Sequence, residues 1–323
     1  MLIKSPQEIR DIAISTIDNE INAVSRLKKS VNEDFISTVE SIISSSGRVI
    51  ITGIGKSANI ATKIVSTLNS TGTPAVFMHA ADAVHGDLGT IREDDIIICL
   101  SKSGETPEIK VLVPLLKSRK NLFVAMVGNT DSYLALQADY VLDTTVEREA
   151  CPNNLAPTAS TTAQLVMGDA LAMALLSCRG FTSEDFARFH PGGSLGKRMY
   201  LKVADLYINN EKPMVGPDAD IKSVIVEISS KRLGAAAVVD KGKLLGIITD
   251  GDLRRMLEQG GTIDGLRASD IMTASPRAID HEELVVSALE LMRENKITQL
   301  PVLKEGDYVG VIHMHDILKE GII

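Results

Sequence analysis

Twice in the first half of this 323-residue chain an apolar strand ends in a loop of small residues that opens a helix, and this pattern constrains the fold more than any other feature. Asp95-Ile96-Ile97-Ile98-Cys99 is short enough for a buried strand. It runs into Leu100-Ser101-Lys102-Ser103-Gly104-Glu105-Thr106-Pro107-Glu108, and the apolar spacing from Ile109 to Ser118 predicts a helix. Earlier, Arg48-Val49-Ile50-Ile51-Thr52 leads through Gly53-Ile54-Gly55-Lys56-Ser57 into a helix reaching about Asn69. A helix start presents free backbone N–H groups with partial positive charge. Ser57, Ser101, Ser103 and Thr106 add hydroxyls, Lys56 adds a mobile cation, and Gly53 and Gly55 allow close backbone approach, so phosphate is the natural guest. The Gly-x-Gly loop is neither a Walker loop nor a dinucleotide fingerprint, because the upstream glycine of the first and the third glycine of the second are missing. Taken singly, each loop also reads as an ordinary capped helix.

Further strands are predicted at Ala75–Met78, Leu122–Val127 and Tyr140–Asp143, with helices between them. The alternation predicts an α/β fold with a doubly wound parallel sheet, whose ligand site lies beyond the carboxyl ends of the strands. Both loops belong there, as do His79 and His85. Ser5-Pro6-Gln7-Glu8 is a capping box opening a long helix with Ile9, Ile12, Ile17, Ile21, Val24 and Val31 at helical spacing. That stripe serves either its own sheet or another subunit. A second helix covers about Glu33 to Ser45. After the last strand comes a long polar loop, Glu147 to Thr158, then an apolar helix from Thr161 to Cys178. Phe189-His190-Pro191-Gly192-Gly193-Ser194-Leu195-Gly196-Lys197 closes the domain.

The formal charge is -8, with acidic residues spread along the chain, so nothing resembles a nucleic-acid footprint. Runs of about 20 consecutive apolar residues are absent, as is a basic-then-apolar leader, and the expectation is a soluble cytoplasmic protein with no membrane partner. Cys99, Cys151 and Cys178 are too few and scattered for a disulfide framework or a thiolate zinc site. Cys99 is expected in the core, leaving Cys151 as the cysteine to watch.

After Lys202 an internal repeat appears. Leu245-Gly246-Ile247-Ile248-Thr249-x-x-Asp252-Leu253 is answered by Val309-Gly310-Val311-Ile312-His313-x-x-Asp316-Ile317. Ala236–Asp240 is likewise answered by Gln299–Leu303. The two units resemble a tandem CBS pair, an α+β module. The resemblance implies that Thr249 and Asp252 hold a nucleotide ribose, while His313 replaces the hydroxyl in the second unit, so one nucleotide site is expected at most. A dimerising module with no ligand is the competing reading.

Gly53–Ser57, His85-Gly86-Asp87-Leu88-Gly89, Ser101–Glu108, Glu149-Ala150-Cys151-Pro152, Leu155-Ala156-Pro157-Thr158 and His190-Pro191-Gly192-Gly193 together resemble the bacterial D-arabinose 5-phosphate isomerases. In that family a sugar isomerase (SIS) domain of flavodoxin-like fold precedes a CBS pair. The resemblance therefore implies domains at 1–202 (SIS), 203–266 (first CBS repeat) and 267–323 (second). It implies interconversion of D-ribulose 5-phosphate and D-arabinose 5-phosphate for Kdo, an acid of lipopolysaccharide or capsule, in a homotetramer. It assigns catalysis to Lys56, His85, Glu108, Glu149 and His190, with no cofactor required. It also places a divalent metal such as zinc at His79. The family's Pro-Ala-Glu after that histidine reads Ala80-Ala81-Asp82 here, which weakens the metal claim.

Moving a carbonyl between C1 and C2 through a cis-enediolate needs a carboxylate base, a second acid/base for the oxygens and a donor for the enediolate charge. Glu149, beside Ala150 and a proline-rich turn, is the first choice as carbon base, with its pKa expected to be raised by partial burial. Glu108 would orient the sugar or move oxygen protons. His85 and His190 would open the ring and shuttle protons, and Lys56 would stabilise the enediolate or phosphate. The rival readings are a non-catalytic sugar-phosphate sensor and an isomerase of another sugar phosphate.

Overall fold

The computed structural model describes residues 4–258 and 263–322. The chain divides after Phe189 into two compact units. In the first, Ser5 caps helix α1 (Pro6–Arg26) with the predicted reciprocal box. Ser5 Oγ accepts from the Glu8 N–H at 3.3 Å, and Glu8 Oε2 accepts from the Ser5 N–H at 2.8 Å. Then come α2 (Glu33–Ser44), β1 (Val49–Gly53), α3 (Lys56–Ser70), β2 (Ala75–His79), the single turn α4 (Ala80–Ala83), β3 (Ile96–Ser101) and α5 (Pro107–Lys117). The unit closes with β4 (Phe123–Val127), α6 (Tyr133–Gln137), β5 (Tyr140–Asp143), α7 (Ala159–Cys178) and α8 (Ser183–Phe189).

The five strands are all parallel, in the order β2-β1-β3-β4-β5, which is the flavodoxin-like winding. Each strand is apolar on both faces because helices cover both. Alternate residues divide accordingly. Val49, Ile51, Ile98 and Leu100 meet Phe35 and Val39 of α2, Ile64 and Leu68 of α3, and Met167, Leu171 and Leu175 of α7. Ile50, Ile97, Cys99 and Phe123 meet Ile109, Leu112 and Leu116 of α5 on the other side. Cys99 is core as expected, and burial pushes its thiol up to about 12. Among the described residues α7 is the one helix long and apolar enough to cross a membrane, and it packs against α3 as a core helix.

The third strand starts at Ile96 rather than Asp95 because Asp95 closes a turn, its backbone N–H donating to Arg92 O at 3.2 Å. Its buried carboxylate accepts the N–H groups of Arg48 and Arg92, both at 2.8 Å, and the Arg48 guanidinium at 2.7 and 3.2 Å. Burial opposes the charge, but the guanidinium and the two N–H groups outweigh it and hold the carboxyl below its usual range.

The second unit holds α9 (Ser194–Tyr200), α10 (Val203–Tyr207), β6 (Met214–Val215), α11 (Ile221–Lys231), β7 (Ala235–Asp240), β8 (Lys243–Thr249) and α12 (Asp250–Glu258). It continues with α13 (Ala268–Ile271), β9 (Thr273–Ala274), β10 (Ile279–Asp280), α14 (Val285–Asn295), β11 (Gln299–Lys304), β12 (Asp307–His313) and α15 (Met314–Lys319). The sheets run β6-β7-β8-β9 and β10-β11-β12, and each hairpin carries a bulge at the matching repeat position, Val238/Val239 and Val302/Leu303. The repeats exchange their leading helices. Ala204 N donates to His281 O at 2.9 Å and Val203 joins the core of Leu300 and Ile312, while Ala268 N donates to Ala219 O at 2.9 Å and joins the core of Val224 and Ile248.

Candidate active site

β1 and β3 are neighbours although β2 lies between them in sequence, so the winding reverses there and the loops leaving their carboxyl ends stand side by side. Lys56 and Ser57, then Ser101, Lys102, Ser103 and Thr106, then Ser160 and Thr161 of α7 line one cavity of about 210 Å3. Gly55, at φ 59, is the N-cap of α3, and Thr106 is the N-cap of α5; neither side chain caps its helix. The first-turn donors of α3 therefore have no side-chain acceptor at the cap. The second loop is locked by its own serines: Ser101 Oγ accepts from the Gly104 N–H at 3.0 Å, and Ser103 Oγ from the Glu105 N–H at 3.3 Å. Gly104 must be glycine, because at φ 66 an added Cβ would lie 2.1 Å from Ser132 Oγ. The Thr106 hydroxyl is buried with no hydrogen-bond partner. Such a group costs about 1–3 kcal/mol, which a phosphate oxygen in the cavity would offset. Gly53 and Gly55 shape the first loop without contributing a wall, and Ser57 Oγ is 3.2 Å from Gln164 Oε1.

Glu149 lies one layer behind this wall, and its environment corrects the expectation of a raised pKa. Its side chain is fully buried, and burial does favour the neutral form. Against that, Lys102 Nζ sits 2.6 Å from Oε1, Ser160 Oγ donates at 2.6 Å, Thr158 Oγ1 at 3.2 Å, and the N–H groups of Thr158 and Ser160 at 2.9 and 3.1 Å. Together they pull the carboxyl down to about 2. Proximity to Ala150 suggests an apolar pocket, but the carboxylate instead accepts the orphan donors at the start of α7. Lys102, Thr158 and Ser160 are not among the candidates that the sequence singles out. Lys102 has a signal in lying between two of them and Thr158 in closing the Leu155–Thr158 motif, whereas Ser160 is read only once α7 is placed.

Lys56 and Glu108 sit in the first turns of α3 and α5, both exposed, and only Lys56 lines the cavity. His85 is exposed in the segment after α4. His190 begins the second unit. His79 ends β2, in register with Gly53, and its Nδ1 accepts the Ala81 N–H at 3.3 Å as the cap of α4. Asp82 is 3.9 Å away, and among the described residues no group of three or more His, Cys, Asp or Glu is placed to hold a metal. The Cys151 thiol is held below its ordinary value by N–H groups of Ala156, Leu155 and Asn153.

Thr249 and Asp252 meet in the second unit, beside a cavity of about 810 Å3 between the repeats. Asp252 Oδ2 accepts from Thr249 Oγ1 at 2.6 Å and from its N–H at 2.8 Å, and Arg255 pairs with Oδ1. Burial is outweighed by Thr249 and Arg255, so the carboxyl lies below its usual range. In the second repeat His313 takes the cap position, with its N–H on Asp316 at 3.0 Å, and burial lowers its imidazole pKa. Arg232, Arg255, Arg277 and Lys296 line the cavity along with Asp250 and Asp252, so its lining carries excess positive charge.

A doubly wound sheet with an anion cavity at its switch point, joined to a swapped pair of α+β repeats, defines an SIS domain protein with a tandem CBS pair. Residues 42–174 match the SIS domain, and residues 203–259 and 268–322 match the CBS domain. Similar proteins include arabinose 5-phosphate isomerase KdsD of Pseudomonas aeruginosa, 45% identical over 95% of both chains. KdsD of Yersinia pestis is 44% identical over 94% of this chain and 93% of its own. A solved Escherichia coli protein in complex with arabinose 5-phosphate is 38% identical, with a TM-score of 0.56, covering 58% of this chain and 100% of that one. The chain belongs to the arabinose 5-phosphate isomerase family.

Proposed function

We propose that the chain interconverts D-arabinose 5-phosphate and D-ribulose 5-phosphate. The observation that carries this is the single cavity formed by both strand-end loops and the start of α7, with its serines, its lysines and the orphaned Thr106 hydroxyl. Those donors hold the phosphate and leave C1 and C2 to the acid/base groups. One substrate carbon is oxidised as its neighbour is reduced, so no electron carrier is needed. A proton moves between C1 and C2 while the hydroxyl proton passes between O1 and O2. Lys56 is placed to stabilise the enediolate or the phosphate. Glu149 is the carboxylate assigned to the carbon proton, and Glu108, His85 and His190 are assigned to orientation, ring opening and oxygen proton transfer. Incubation with D-ribulose 5-phosphate in heavy water should place deuterium at C2 of arabinose 5-phosphate; neither product nor label would leave a sensor.

The same reading places the protein in the cytoplasm, with its product passed to Kdo synthesis for lipopolysaccharide or capsule, and makes it a homotetramer. Ile9, Ile12, Ile14, Ile17 and Ile21 of α1 are about half exposed, a face that a second subunit would cover, and the mass in solution is the check. The positively lined cavity of the second unit is read as a nucleotide effector site centred on Thr249 and Asp252. An adenosine nucleotide at about 100 times its Kd should stabilise the protein by about 2.7 kcal/mol, visible as a rise in Tm. No shift with any nucleotide leaves the module as scaffold.

A further inference from the structure

Glu149 poses a contradiction: a carboxylate assigned to take a carbon proton is already paired with an ammonium. The pair itself suggests the resolution. Lys102 stands between Ser101 and Ser103 in the phosphate loop, and its side chain is 44% exposed, so it lines the cavity while one donor reaches back to Glu149. Glu149 does not depend on it for hydrogen bonding, because Thr158 and Ser160 supply two N–H groups and two hydroxyls. A sugar phosphate would bring about −1.5 to −2 charge against the single charge of the carboxylate, within reach of the same flexible side chain.

We propose that Lys102 exchanges partners when substrate binds, leaving Glu149 for the phosphate and so freeing the carboxylate to accept the substrate's carbon proton. The proposal rests on reading the cavity as the sugar-phosphate site. Lys102 is then a binding residue for phosphate and a positioning residue for the base. Burial remains around Glu149 after the exchange and its opposite charge is gone, so its proton affinity rises only when there is a proton to take. Before substrate arrives, the lysine keeps the buried carboxylate neutralised. Ser160, whose hydroxyl bonds Glu149 and which also lines the cavity, stays as the fixed part of the support.

Titration calorimetry with inorganic phosphate reads the exchange as a competition. Glu149→Gln removes the rival for Lys102, so phosphate should bind about three- to tenfold more tightly than to wild type. Lys102→Met should weaken binding about tenfold, and adding Glu149→Gln to Lys102→Met should bring no gain. A static structural pair predicts that the double variant binds phosphate as tightly as wild type, since one neutral pair replaces another, and that result overturns the proposal. Should the variants fold poorly, a crystal structure of the wild-type chain with arabinose 5-phosphate decides. Lys102 Nζ is expected at about 3 Å from a phosphate oxygen and clear of the carboxylate, and finding it still on Glu149 refutes the exchange. Lack of turnover by the wild-type chain would instead remove the isomerase reading, while the inorganic phosphate measurements would still stand.

Discussion

Glu149→Gln is expected to lower isomerisation by about 10²- to 10⁴-fold and to stop wash-in of solvent deuterium at C2, while the phosphate end of the substrate still binds. The amide keeps the shape and part of the hydrogen bonding but cannot accept the carbon proton. Retained turnover would move the base role to Glu108 or to a histidine. The same substitution should change the response to acid. Because the folded carboxyl lies at about 2, below its usual 4.5, the group stabilises the folded chain by an amount on the order of 3 kcal/mol. That contribution is complete above about pH 4.5 and is lost as the pH falls toward 2. Urea denaturation at pH 7 and pH 3 should therefore show a smaller difference in the variant than in wild type. An equal difference would place the acid sensitivity elsewhere.

Asp95→Ala should cost the first unit about 3–5 kcal/mol. The substitution strands the Arg48 guanidinium and leaves two backbone N–H groups, of Arg48 and Arg92, without their acceptor. Those residues precede β1 and β3, the two strands whose ends form the cavity, so the loss loosens the site as well as the fold. A fall in the urea midpoint followed by circular dichroism is the measurement. A loss under about 1 kcal/mol would mean that the bond from Arg48 Nη2 to Thr90 O suffices to hold the arginine.

Much of the architecture was legible because local chemistry agrees with the fold. The Ser5 box, the apolar runs of β1 and β3 and the small-residue loops after them each specify an element through contacts within a few residues. The repeat around Gly246 and Gly310 was legible for the same reason. Its exchange of helices was not, since a helix as short as α10 carries no mark of which core it joins. Nor was the state of Glu149. An apolar neighbour in sequence points to desolvation, while the deciding donors come from Lys102 and from a helix start nine to eleven residues downstream.

By itself, then, the sequence determined the kinds of elements, the phosphate-type chemistry of two loops and the division into a sheet domain and a repeat, all consequences of patterns repeated over short distances. Only the tertiary structure decided that β1 and β3 lie side by side, that their loops and the start of α7 share one cavity, and that Lys102 neutralises Glu149. The physical reason is that strand order and charge pairing are settled by packing between segments far apart in the chain, where an ammonium 2.6 Å away and the donors of a distant helix start together outweigh the burial around a carboxyl.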